Sequence, residues 1–233
     1  MSGRESAQKT VIALHGAGMN ANAWNLLAKE LPCTALSLPG HGMTTGPLLP
    51  SVKGMADWVR AQLEDYPPQS VVLLGHSMGA LVALEAARSA AVCALVLMGA
   101  AAAMPVHPDL LKQAAEAPPA AADLILKWGV SRNSPETVEM LKKQMQPETL
   151  ANDLLACNDY VAGEAASKAC CKPALVISGS DDKMAKAAAA QALAEMMPKG
   201  RFCSIDGYGH MLMVEDPVKT AREIKGFVAG LED

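Results

Sequence analysis

Aromatic side chains are scarce in this chain of 233 residues: three Trp, three Tyr and two Phe make up 3 %. Ala, Leu and 14 Met must fill the core instead, and methionine packs adaptably rather than rigidly. Basic runs are missing as well. With a net charge of −4 and a pI near 5.7, the chain has no general attraction to nucleic acid or to an anionic membrane surface. The segment Met1–Lys9 is polar and has no apolar stretch of the secretory-signal kind. The longest run without a polar side chain, Ala90–Val106, holds Gly99 and Pro105 and falls short of a bilayer span. A cytoplasmic protein with no membrane span is therefore expected. The six Cys, at 33, 93, 157, 170, 171 and 203, include no Cys-x-x-Cys pair and no Cys/His ligand spacing. Reduced thiols are expected, not a disulfide framework or a metal site. The adjacent Cys170 and Cys171 read as small apolar filler near a strand.

Hydrophobic residues make up 51 % and charged residues 19 %, which excludes intrinsic disorder, and the length suits one domain carrying an insertion. Short apolar runs at Thr10–Leu14, Cys33–Leu38, Ser70–Leu74, Val92–Met98, Leu175–Ser178 and Arg201–Ile205 read as strands. Helical patterns alternate with them at Ala23–Leu31, Lys53–Tyr66, Met78–Ser89, Ala185–Met197 and Pro217–Leu231. Strands that are apolar throughout need cover on both faces, so a parallel α/β sheet follows. From about Met104 to Ser167 no strand pattern occurs, while Ser134-Pro135 and Pro147-Glu148 are helix starts. Val138, Leu141 and Met145 share one helical face, and Leu150, Leu154 and Cys157 another. The expected organisation is a core of residues 1–103 and 168–233 with a helical lid of residues 104–167 inserted between two strands.

The most informative stretch is Val71-Val72-Leu73-Leu74-Gly75-His76-Ser77-Met78-Gly79. An apolar strand runs into Gly-x-Ser-x-Gly and out into a helix, which is the context of a nucleophile elbow. Side chains at 75 or 79 would collide in so tight a turn, and the helix N-terminus favours a developing oxyanion. A serine needs a general base at neutral pH, normally a histidine. Of five His, His76 precedes the serine and should point away from the site. His15 and His41, at strand ends and turns, read as hydrogen-bonded structural residues, and His107 opens the insertion. His210, in Asp206-Gly207-Tyr208-Gly209-His210 directly after the last strand, is the expected base. Leu175-Val176-Ile177-Ser178-Gly179-Ser180-Asp181-Asp182 offers two carboxylates to orient it, and charge alone does not choose between Asp181 and Asp182.

Four motifs in order make the whole chain resemble the α/β-hydrolase superfamily: His15-Gly16-Ala17-Gly18, Leu38-Pro39-Gly40-His41-Gly42, Gly75-His76-Ser77-Met78-Gly79, and the loops of Asp182 and His210. The resemblance implies a Ser77, Asp182, His210 triad, its Gly-x-x-Asp pattern favouring Asp182 over Asp181. It also implies an oxyanion hole made by the N–H groups of Ala17 and Met78. Only nine residues precede the first strand, where relatives carry a hairpin, so a reduced, mostly parallel sheet of about six strands flanked by helices is expected. Ser37 stands where relatives often carry Asp, and its hydroxyl can cap the turn that follows.

The function expected on this resemblance is a serine carboxylesterase: Ser77 attacks an ester carbonyl, His210 moves the proton, and no metal, nicotinamide or flavin takes part. Met19, Met43, Met78, Met104, Met140, Met145 and Met211, with Trp24 and Trp128, are candidates for a flexible apolar acyl pocket. The general likeness is to small carboxylesterases of the pimeloyl-acyl carrier protein methyl ester type. An acidic carrier protein would want a basic lid, yet residues 104–167 hold five Lys and Arg against nine Asp and Glu, a net of −4. A small free ester is preferred over a carrier-bound one. Thioester, lactone or carbon–carbon hydrolysis, perhydrolysis and hydroxynitrile cleavage suit the same groups. A non-catalytic ligand-binding protein on this fold would show a damaged triad, and here all three residues are present.

Overall fold

A computed structural model describes residues 9–131 and 135–231. Six strands, β1 (Thr10–Leu14), β2 (Thr34–Leu36), β3 (Val71–His76), β4 (Val92–Met98), β5 (Ala174–Gly179) and β6 (Gly200–Ile205), form one sheet in the order β2-β1-β3-β4-β5-β6. Every neighbouring pair is parallel. The helices of the core are α1 (Leu27–Glu30), α2 (Val52–Gln62), α3 (Met78–Ala86), α9 (Ala187–Met196), α10 (Leu212–Glu215) and α11 (Pro217–Ala229). Between β4 and β5 the chain makes α4 (Pro108–Glu116), α5 (Pro118–Gly129), α6 (Pro135–Gln144), α7 (Leu150–Asn158) and α8 (Gly163–Ala169).

Central strands β3 and β5 are buried along their whole length, as their unbroken apolar runs require. Alternate residues feed two cores. Val72, Leu74 and Val96 face one, shared with α11 and much of the insertion, while Val71, Leu73 and Leu95 face the other with α2, α3 and α9. The chain crosses from β2 back over β1 to β3 and then builds only outward, so the strand order reverses between β1 and β3. Loops leaving those two strands diverge there and open the crevice in which doubly wound sheets bind ligands.

The expected helix Ala23–Leu31 is broken. The Asn20 side chain accepts from the Asn22 N–H and starts a 3-10 turn early, at Ala21–Trp24, and a separate turn of α1 follows. Ser134, expected to cap α6, lies outside the described residues; Pro135 is the first residue of that helix. Filler describes Cys170, which is buried, but not Cys171, which is exposed. The Ser37 hydroxyl does not cap its own turn but accepts from the Ala21 N–H at 3.0 Å, tying the loop after β2 to the loop after β1.

Candidate active site

Strand β3 ends at His76, and Ser77 stands between it and α3 with φ 53° and ψ −118°. That conformation is strained for a residue with a side chain and persists only where its surroundings hold it. Here a Cβ on Gly75 would fall 2.2 Å from the Gly79 carbonyl oxygen, and one on Gly79 would fall 2.3 Å from that of Leu14. Elbow, helix and β1 therefore pack backbone to backbone, and the Ser77 N–H is anchored on the Met98 carbonyl at 2.9 Å. Met78 opens α3, so its N–H has no partner within the helix. Ala17, across the crevice after β1, has an N–H without an acceptor among the described residues.

The loop after β6 brings His210 over these strand ends. Its N–H donates to the Gly129 carbonyl at 2.8 Å. Glu215 of α10 accepts from the flanking N–H groups of Gly209 and Met211 at 3.1 and 3.2 Å, and from the Ser131 N–H and hydroxyl at 2.9 and 2.7 Å. His210 Nδ1 lies 2.7 Å from Asp182 Oδ2, and the N–H groups of Met184 and Ala185 both donate to Asp182 Oδ1 at 2.8 Å. Burial alone would raise the Asp182 carboxyl. The facing His210 and the two N–H groups outweigh it and hold the group below its ordinary value. Asp181 is exposed, and among the described residues its side chain accepts only from the Ser180 hydroxyl at 3.0 Å. It is Asp182 that reaches the imidazole.

His210 Nε2 is buried and has no partner among the described residues. His210 lines, with Ser77, Ala17 and Gly16, a cavity of about 410 Å³, within the usual range for small-molecule sites. Met19, Met104, Trp128 and Met211 line this cavity, together with Val106, Leu110, Ile125 and Leu154 of the insertion. Other pocket candidates stand elsewhere. Trp24 is fully buried in the core among residues of β1 and α1, and Met140 lies on α6, which packs against α5 and the Ala21–Trp24 turn. Met145 is buried against Gly18, Met78 lies wholly in the opposite core, and Met43 is 96 % exposed. His76 does not point away from the site. Because β3 runs on through residue 76 and the His210 loop folds across its end, the two rings sit 4.8 Å apart, and His76 Nε2 donates to the His210 carbonyl at 3.0 Å. Burial and the neighbouring His210 push the His76 pKa down to about 3, so the ring is neutral.

A second pair of histidines lies beside the first. His15 and His41 also stand 4.8 Å apart. His15 Nδ1 donates to the Gly16 carbonyl at 2.9 Å and Nε2 accepts from the Leu38 N–H at 3.1 Å, with burial lowering its pKa to about 4. His41 faces the Pro39 carbonyl through Nδ1 at 3.1 Å and Asp153 Oδ2 through Nε2 at 2.9 Å. Both acceptors are met when the ring carries two protons, as an imidazolium. Burial opposes that charge, but the hydrogen bond and charge of Asp153 prevail and raise the His41 pKa above its ordinary value.

The sequence reading missed Asp153 and Glu215. Asp153 had a signal, since it shares the apolar face of Leu150, Leu154 and Cys157, where a carboxylate needs a partner. Glu215 had none, because the four-residue helix carrying it shows no pattern. Among the described residues, no three His, Cys, Asp or Glu side chains gather as a metal site would need. No helix there is long and apolar enough to cross a membrane.

The family model described as the Alpha/beta hydrolase family matches residues 11–223. The chain belongs to that family. Within it, this esterase-like member is similar to the pimeloyl-[acyl-carrier protein] methyl ester esterase of Aromatoleum aromaticum, with 28 % identity covering 94 % of this chain and 98 % of that one. Among solved structures, a thermophilic esterase from Thermogutta terrifontis superposes with a TM-score of 0.83 at 22 % identity, covering 97 % of this chain and 92 % of the other. The enol-lactonase from Burkholderia xenovorans gives 0.84 at 21 %, covering 97 % and 93 %. At such identities these two likenesses establish the fold of this hydrolase and leave its substrate open.

Proposed function

We propose that the protein hydrolyses a small carboxylic ester through an acyl-enzyme on Ser77. One observation carries this reading: His210, fixed through Nδ1 by Asp182, has an Nε2 with no partner among the described residues and lines one cavity with Ser77. Nε2 takes the Ser77 proton as the hydroxyl attacks the ester carbonyl, and the oxyanion is met by the N–H groups of Ala17 and Met78. His210 then protonates the leaving alcohol, activates water and returns the proton to Ser77 as the acyl group departs. Asp182 stays ionised and stabilises the imidazolium that forms in each half-reaction. Residues 104–167 act as the lid of the pocket, supplying its apolar wall from Met104, Leu110, Ile125 and Trp128. Met and Leu walls with few rings favour loose selectivity for short and medium acyl chains.

A p-nitrophenyl ester series of rising acyl length tests the reading. The expected result is turnover best at short to medium length and a loss on the order of 10³ to 10⁶ in Ser77→Ala; equal turnover in that variant would falsify the mechanism. A second reading is favoured by the Aromatoleum relative and by Lys183 and Lys186, which line a cavity that no carboxylate lines among the described residues. Here the ester arrives on an acyl carrier protein. Against it stands the acidic surface of the insertion, since of its nine carboxylates only Asp153 is buried. Methyl esters supplied free and carrier-bound separate the two, and a higher kcat/KM for the free ester supports the first.

A further inference from the structure

We propose that Asp153, on α7 of the insertion, is a positioning residue that holds the loop after β1 so that the Ala17 N–H points into the site. The inference rests on the ester-hydrolase reading above. Asp153 is wholly buried, and its Oδ2 accepts from the Gly18 N–H at 2.9 Å as well as from His41 Nε2 at 2.9 Å. The Gly18 carbonyl in turn accepts from the Gln146 N–H at 2.6 Å. Both backbone groups of the residue after Ala17 are thus held from the insertion, across more than a hundred residues of sequence. Gly18 has φ +68°, and a Cβ there would fall 2.4 Å from Leu150 Cδ2, so α7 packs directly on its backbone. The Gln146 side chain completes the clasp, its Oε1 accepting from the Gly42 N–H at 2.7 Å and from Asn20 Nδ2 at 3.1 Å.

A packing contact alone would not need a buried charge, which costs several kcal/mol unless paired and hydrogen-bonded. Asp153 meets that demand with His41, with the Gly18 N–H, and with Asn152 Nδ2 on Oδ1 at 3.1 Å. An ionised acceptor makes the bond to Gly18 stronger and more directional than a neutral one would. The peptide joining Ala17 to Gly18 cannot rotate without breaking that bond, and it meets at the Ala17 Cα the Gly16–Ala17 peptide that carries the donor N–H, so it limits how that donor can turn. An oxyanion donor held in place before the reaction costs no reorganisation during it, so its loss reads in kcat more than in KM.

The test compares wild type, Asp153→Ala and Asp153→Asn in p-nitrophenyl butyrate kinetics, with the folded fraction fixed by circular dichroism and Ser77 titrated by a neutral organophosphate. Asp153→Ala is expected to lower kcat per titrated site about 10- to 100-fold, below the ~10²–10³ of losing a whole donor, with KM within about twofold. Phosphorylation of Ser77 should slow in parallel. Asp153→Asn keeps an oxygen for the Gly18 N–H and should recover part of the loss, and it serves as the test should the alanine variant not fold. Unchanged kcat in Asp153→Ala, or a loss that vanishes once corrected for folded protein, overturns the inference alone. A wild type inert to both ester and organophosphate overturns the ester-hydrolase reading and the inference with it.

Discussion

Two histidine pairs sit side by side in this protein, and they are alike in almost everything. Each has ring centroids 4.8 Å apart, each is buried, and in each the second ring faces a buried Asp within 3 Å. What differs is the nitrogen that meets the carboxylate. His41 turns Nε2 to Asp153 and Nδ1 to a carbonyl, leaving nothing free. His210 turns Nδ1 to Asp182, lines the cavity, and leaves Nε2 without a partner among the described residues. A His–Asp pair is thus a clasp or a base according to whether one nitrogen is left over.

Exchanging the two roles is the sharpest way to break the comparison. His210→Asn should cost on the order of 10³-fold or more in kcat, because its ring moves the proton in both half-reactions. If activity survives, the vacancy at Nε2 means nothing. Asp182→Asn should lose about 10²- to 10⁴-fold, whereas Asp181→Asn stays near wild type on the same p-nitrophenyl esters; the opposite ranking would move the acid by one residue. On the clasp side, His41→Asn leaves Asp153 buried without its cation and should lower unfolding stability by about 3–5 kcal/mol in urea titrations. A midpoint within error of wild type would make the pair decorative.

The comparison also separates by pH dependence. His15 and His76 have folded pKa values near 4 and 3 against 6.5 for the free side chain, so below pH 6.5 the unfolded chain takes up protons that the folded one refuses. Stability should fall as pH drops from 6.5 toward 4, and His76→Asn should flatten that slope. The clasp has the opposite sign on its His side. His41 is raised, so its contribution is complete below pH 6.5 and fades as pH rises through the folded value. Asp153 is lowered despite burial, so its contribution is present above pH 3.8 and lost as pH falls through its folded value. Urea midpoints from pH 4 to 9 in wild type and His41→Asn would separate the two; coincident curves above pH 6.5 count against a charged clasp.

Much of the scaffold was legible because burial on both faces leaves an unmistakable trace. The runs at Thr10–Leu14 and Val92–Met98 became strands with those bounds. The elbow was equally plain, since Gly75 and Gly79 answer to collisions within a few residues of chain. Pocket walls were not legible. Methionine serves core and cavity alike, so Met211 and Met145 look the same in sequence although one lines the cavity and the other presses on Gly18. Nor could the orientation of His76 be read, because it depends on where a loop more than a hundred residues away folds back.

By itself the sequence determined the local things: six strands and their polarity of burial, the strained turn at Ser77, and the order of the Ser, Asp and His residues. These follow from periodicity and short-range sterics, which act between residues a few positions apart. Only the tertiary structure decided which carboxylate meets which imidazole, which nitrogen remains free, and that Asp153 reaches from the insertion to the loop after β1. Those are contacts between distant segments, and a hydrogen bond depends on a few tenths of an ångström that no pattern of residues encodes.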